Sequence, residues 1–464
     1  MNRGSKLKNN FLATRWVWTA ATGITLSVFF IQFYLRGYGI HADGLGYFAP
    51  LRSLVFDGDL DVSNEFRFFA STFSHFSHRG RWPFEIPVYS KYTIGTGLIL
   101  APFFLLGHVL ALLLNILGIQ TVALDGLSWP YELTYTLGSL SLGIFGLYLG
   151  YRTARSLYGS AVSSMALLGV WFGSPLLYYL TLGASMSHAV STAVVSLLIY
   201  VCVSSNGSRL RSGPGQILIG FLLGLAALVR PQDILFLTIP AILMLLSPEL
   251  KLEKKLRGIL LIIIMAAITT IPQLGIYWSQ YGTVFGSPYF IEGQWSSAGS
   301  SFNWTAPQVI PVLFSGFRGL FIWHPLILLS FFGLLINFSN EKAKKISFLA
   351  AFGFQLYLIS VWHCWWQGES VGARMFSSCT FIFIFGLASF WNGIHKRWNL
   401  AIPLVLTILL IGWSSLLTAQ YLSRLIPPEQ PVAVTTLLHN QTRVITHLIS
   451  QLWGKGNMLP PSDQ

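Results

Sequence analysis

Twelve apolar runs separated by short polar connectors dominate this chain and leave few folds open to it. They lie at 16–35, 94–117, 131–150, 161–180, 187–204, 215–229, 232–247, 259–278, 317–337, 346–363, 374–392 and 400–420. A helix needs ~20 apolar residues to cross the hydrocarbon core of a bilayer, and most of these runs come close to that length. The period-two alternation of a transmembrane barrel is missing. The expected class is all-α, a polytopic helical membrane protein. No internal repeat, heptad or soluble domain interrupts the pattern. A single transmembrane domain over 1–420 and a short external tail over 421–464 are expected.

The net charge of +13 does not imply nucleic acid. In a chain of this kind Lys and Arg mark the connectors held on the cytoplasmic side. If all twelve runs crossed, the basic connectors with Arg152/Arg155, Arg209/Arg211 and Lys251/Lys254/Lys255/Arg257 would face outward, against that rule. If 94–117 instead enters the outer leaflet and returns, the inside holds 17 basic and 3 acidic residues, and the rule is obeyed. Gly95, Gly97, Pro102, Gly107 and His108 interrupt that run and suit it to such a path. About 11 crossings are therefore expected, plus one re-entrant or juxtamembrane helix in the first external loop. Arg3, Lys6, Lys8 and Arg15 precede a first run that lacks a cleavage pattern, which places the N-terminus in the cytoplasm; compact loops and no evident sorting signal lead to the expectation of a plasma (inner) membrane.

This topology gathers the unusual residues on one face. The loop 36–93 carries Asp43, Asp57, Asp59, Asp61 and Glu65, in a chain where only 10% of residues are charged. Charged groups next to a bilayer are costly and tend to be functional. Asp43, in "HADG", can accept a proton from a hydroxyl, or it can be ordinary turn chemistry. "FDGDLD" lacks both the strand–helix setting of a nucleotide-sugar site and the spacing of a calcium loop, so it reads as a solvated turn. His188, in the hairpin "LGASMSHAV", could bind a divalent metal together with Asp43, contact a phosphate oxygen, or be structural.

Arg230 in "LVRPQD", Arg318 in "SGFRGLF" and Arg374 in "GESVGARMF" stand at three external helix mouths. Guanidinium groups bind phosphate through paired hydrogen bonds, and Lys91 adds a fourth cation beside Tyr92. Asp233 could instead pair with Arg230. Trp366 and its neighbours in "WHCWWQGE" suit either an interfacial aromatic belt or stacking on a sugar, with Glu369 close by. The three cysteines, Cys202, Cys364 and Cys379, have no metal-binding spacing.

The ordered set of these stretches resembles the GT-C superfamily of integral-membrane glycosyltransferases. Within it, the chain looks like the broad, glycosyltransferase family 39-like group that includes protein O-mannosyltransferases and the aminoarabinose transferase of lipid A. A first helix leads to an external loop with an early acid, Asp43. The piece "KYTIGTGLILAPFFLLG" follows, then "YRTARSLYG" at 151–159 and "GSPLLYYL". Later come "YWSQYGTVFGSPY", "SGFRGLFIWHPL" and "WWQGESVGARMF". The resemblance spans residues 16 to about 420 and rests on order more than on any one motif.

It implies inverting transfer of a sugar from a polyprenyl-phosphate donor to a lipid, glycan or protein acceptor at the outer (periplasmic) face, among membrane lipids. Asp43 would be the general base. The external arginines and Lys91 would hold the donor phosphate, with His41, Tyr92, Trp366 and Glu369 near sugar or acceptor. Where relatives often carry an Asp in the second external hairpin, this chain has His188, which leaves a divalent metal cofactor open. Two rival readings use the same cavity. One is a transporter or flippase of lipid-linked saccharides, which would more often show repeated halves. The other is a polymerase or ligase, which would carry its largest external loop late in the chain.

Overall fold

The computed structural model describes residues 3–72, 89–284, 302–336 and 341–453. Among them the chain is all-α, with one isolated bridge between Phe302 and Trp362. Helix α1 (Arg3–Arg36) is followed by α2 (Leu45–Phe56) and α3 (Ser63–Thr72) in the first loop. Then come α4 (Gly95–Ile116), α5 (Trp129–Tyr158), α6 (Ser160–Gly173), α7 (His188–Val203) and α8 (Gly213–Val229). The chain continues through α9 (Pro231–Leu245), α10 (Leu252–Tyr281), α11 (Pro325–Leu335), α12 (Lys342–Val361) and α13 (Arg374–Arg397). It closes with α14 (Ala401–Leu422) and α15 (Val434–Trp453).

Seven of these helices are long and apolar enough to cross a membrane, and five shorter apolar helices accompany them. Every apolar run expected from the sequence is helical, which makes this a multi-pass protein. Two runs are broken. The run 161–180 stops at Gly173 and resumes only as Leu176–Leu180, because Pro175 cannot donate to the helix. The run 317–337 divides into Leu320–Trp323 and α11, because Pro325 forces His324 out of helical geometry.

Lipid-facing helices and central helices separate clearly. In α10 only 17% of the apolar window is buried, against 83% in α13. Helix α7 is almost wholly buried as well. Close approach of backbones builds this centre: a Cβ at Gly333 of α11 would lie 1.8 Å from the carbonyl oxygen of Gly386 in α13. Gly220 and Gly224 give α8 the same intimacy with Ile262 and Ala266 of α10. Small residues four apart let helices pack where lipid offers no hydrophobic drive.

Helix α4 has a telling register. Tyr89 stacks edge-on against Tyr281 at the end of α10. Five residues on, the Ile94 N–H donates to Gln273 Oε1 at 2.9 Å, about two helical turns earlier on α10. Gly95 touches Leu228 and Val229 at the end of α8, and α4 then runs antiparallel to the opening turns of α5. Gly138 meets Phe103, and Gly107 meets Tyr131 and Thr134.

Candidate active site

Helices α7, α9 and α13 all begin at one place, at His188, Pro231 and Arg374. Between these ends and the loop after α1 lies a cavity of about 720 Å³. Helix N-termini direct unsatisfied N–H groups and a positive dipole end outward, which favours an anion. The cavity lining is part polar and part apolar. Its polar part comprises Asp43, Lys91, His188, Arg230, Glu369 and Arg374. Its apolar part comprises Ile234 and Leu235 of α9, Leu358 and Ile359 of α12, and Phe302 and Trp362.

Asp43 lies in a turn that the rest of the protein shapes. Ala42 has φ +43°, a left-handed conformation that costs a non-glycine residue on the order of 1–3 kcal/mol. The Arg374 NH1 group donates to Asp43 Oδ2 at 3.0 Å, and the Asp43 side chain keeps 27% of its surface exposed. Arg374 is itself braced, since its Nε donates to the Gln367 carbonyl at 3.1 Å. Gln367 and Gly368 both have positive φ, which lets that carbonyl turn toward the guanidinium.

Arg230 is held differently. Its NH1 donates to His188 Nδ1 at 3.1 Å, and its NH2 donates to Gln232 Oε1 at 3.3 Å. Among the described residues Arg230 forms no ion pair. Asp233 does not pair with it and instead accepts from the Ser191 hydroxyl at 2.5 Å. A guanidinium can only donate, so His188 Nδ1 is the unprotonated nitrogen and accepts from both Arg230 and the Ser377 hydroxyl, the latter at 3.0 Å. The imidazole is an acceptor that aims Arg230 at the cavity.

Tyr47 and Tyr92 stack with ring centres 4.3 Å apart, and Lys91 Nζ sits 5.1 Å from the Tyr92 ring centre. Burial pushes the Tyr47 hydroxyl up to about 12, so at neutral pH it is protonated and cannot serve as a base.

The structure therefore brings together Asp43, Lys91, Tyr92, His188, Arg230, Glu369 and Arg374. It leaves His41, Arg318 and Trp366 outside the cavity lining. The His41 N–H is bonded to Ser185 Oγ. Arg318 is buried in the wall, where its Nε donates to the Ser370 carbonyl at 2.7 Å and its NH2 to that of Pro428. Trp366 stacks on Phe317. Burial and carbonyl partners made Arg318 a strut, and aromatic packing drew Trp366 behind the wall. Tyr47, Gln232 and Tyr277 join the lining without having been expected there.

The donor set does not suit a divalent metal. Asp43 is paired with Arg374, His188 Nδ1 faces a guanidinium, and among the described residues no group of three or more His, Cys, Asp or Glu side chains could hold one. Ionic attraction to an anion is what these side chains offer.

No family model and no curated protein matches the chain. Among solved structures it is similar to ArnT from Cupriavidus metallidurans in the apo state, at 13% identity and a TM-score of 0.49, over 94% of this chain and 76% of that one. Such a likeness assigns neither family nor chemistry.

Proposed function

We propose that this chain is a membrane glycosyltransferase of the GT-C type, moving one sugar from a polyprenyl-phosphate donor to a hydroxyl acceptor at the outer face. The observation that carries the reading is the mixed lining of the cavity, in which two carboxylates, Asp43 and Glu369, and three cations share one space with apolar side chains of α9 and α12. A polyprenyl-phosphate sugar has matching chemistry: its chain suits the apolar side chains of α9 and α12, and its phosphate suits Arg230 and Lys91. Helix α4 is unbroken from Gly95 to Ile116, so of the two paths expected of it the packing suits a juxtamembrane helix and not one that dips and returns. The order of motifs in the sequence supports the family.

In this reaction the acceptor hydroxyl oxygen attacks the anomeric carbon while Asp43 takes its proton. The bond between that carbon and the phosphate oxygen breaks, and polyprenyl phosphate leaves with the electron pair. Attack opposite the leaving group inverts the configuration. Fixed cations aimed at the phosphate stabilise the charge that grows there, which is where preorganised electrostatics act most strongly. The neutral His188 keeps Arg230 aimed without competing for the phosphate.

The test uses purified protein in lipid nanodiscs, a panel of undecaprenyl-phosphate hexoses and pentoses, and an envelope extract as acceptor. Release of undecaprenyl phosphate by wild type, lost in Asp43→Asn, is expected. Full release by Asp43→Asn would remove the base from the mechanism. Passage of an intact donor across a proteoliposome bilayer, with no release, would instead favour transport.

A further inference from the structure

We infer that Glu132 and Ser185 are positioning residues that fix the turn bearing Asp43, an inference that rests on the proposed transferase reading. Three consecutive amides ahead of Asp43 are taken by side chains from two other parts of the chain. The N–H groups of Gly39 and Ile40 both donate to Glu132 Oε2, at 2.6 and 3.0 Å. The next N–H, of His41, donates to Ser185 Oγ at 2.9 Å. Glu132 is 3% exposed on α5 and Ser185 fully buried in the hairpin before α7, so water cannot substitute for either.

The turn is also fitted sterically. A Cβ on Gly44 would lie 2.0 Å from Ser185 Oγ, and one on Gly39 would lie 3.2 Å from the Glu132 carbonyl. Between these contacts Ala42 is held at positive φ. Such a conformation persists only where its surroundings over-determine it. Glu132 lies too far along the turn to reach the reacting atoms. Its effect is exerted through the direction in which Asp43 is presented to Arg374, whose NH1 donates to that carboxylate.

Both amides converge on a single oxygen of Glu132, which yields a sharp variant pair. A glutamine at 132 keeps one oxygen for both donors, removes the charge and puts an NH2 group where the second oxygen was. An alanine removes the acceptor. Misplacing a reacting group by about 1 Å can cost 10²-fold in rate. Glu132→Ala should therefore lower kcat for undecaprenyl-phosphate sugar consumption by roughly 30–100-fold at unchanged donor KM, and Ser185→Ala by about 10-fold. Glu132→Gln should restore kcat to within about threefold of wild type.

Hydrogen–deuterium exchange over residues 37–44, in the same nanodiscs, reads the clamp without any substrate. Protection of this segment should be lost in Glu132→Ala and kept in Glu132→Gln. The inference is overturned if Glu132→Ala leaves the protection intact, or if it keeps wild-type kcat while Asp43→Asn is inactive. Equal losses in Glu132→Gln and Glu132→Ala would overturn it too, by making the charge and not the acceptor responsible. If Asp43→Asn retains turnover, the transferase reading fails on its own, and the exchange measurement still decides the clamp.

Discussion

Two acids or acid clusters of the loop after α1 meet an arginine, and the two groups are built to opposite ends. At Arg52 the guanidinium is used up inside the protein. Its NH1 serves Asp57 and Glu65, the latter at 2.9 Å, and its Nε donates to the Asp125 carbonyl at 2.9 Å. This ties α2, α3 and the connector before α5 together, and the Glu65 side chain is wholly buried. At Asp43 the carboxylate meets Arg374 at the rim of a cavity and stays partly open to it. The lesson is that acid content alone does not mark a reactive site. What separates a strut from a reagent is whether the paired groups face packed protein or space that a substrate can enter.

The sharpest way to break this comparison is to neutralise both acids. Asp43→Asn should reduce donor consumption by about 10³-fold with the fold intact, the scale on which a positioned base acts. Glu65→Gln should leave turnover per folded molecule within about twofold, because that acid never meets substrate. The same nanodisc assay, normalised to folded protein, measures both; equal activity losses would erase the distinction.

The arginines come next. Arg230→Ala removes charge-assisted hydrogen bonds worth about 1.5–3 kcal/mol each, so donor KM should rise roughly 10- to 100-fold in steady-state kinetics. If KM is unchanged and only stability falls, Arg230 is structural. Arg52→Ala should act in reverse, lowering unfolding stability by about 2 kcal/mol, because it leaves the buried Glu65 carboxyl and the Asp125 carbonyl without their donor, while kcat per folded molecule holds. Thermal unfolding followed by fluorescence reports that loss.

The smallest effect expected is a pH dependence confined to the strut. Burial outweighs the pull of Arg52 and pushes the Glu65 carboxyl up to about 7, from an ordinary value near 4.5. The folded state then holds this proton more tightly than the unfolded chain does, so stability falls as pH rises through the window from about 4.5 to about 7. Wild type should lose melting temperature relative to Glu65→Gln across that window. A constant difference would show that Arg52 keeps Glu65 ionised throughout.

The sequence made the bundle readable because lipid is a demanding solvent: each crossing segment must be apolar and satisfy its own backbone. Asp43, Arg230 and Arg374 were readable for the complementary reason, since an ion in so apolar a chain stands out. Glu132 was passed over as the opening of a span, because its partners are backbone amides 92 and 93 residues away, and amides leave no mark in a sequence. A lone carboxylate inside an apolar run was the available signal. The amphipathic α15, where only a short tail was expected, did carry a helical period in Leu437, Leu438, Val444, Ile445, Leu448 and Ile449. Arg318 and Trp366 have the right chemistry for a ligand, and only packing shows that they face away.

The ion pair between Asp43 and Arg374 joins residues 331 positions apart. Ribosomes add about 5–20 residues each second, so the two halves of the site are made on the order of tens of seconds apart. During that interval the growing chain already owns its acid and lacks the arginine that meets it. The late helix α13, the most buried of the long ones, is then the piece that completes the constellation. Under the proposed reading, assembly order itself would keep a half-inserted chain from consuming donor.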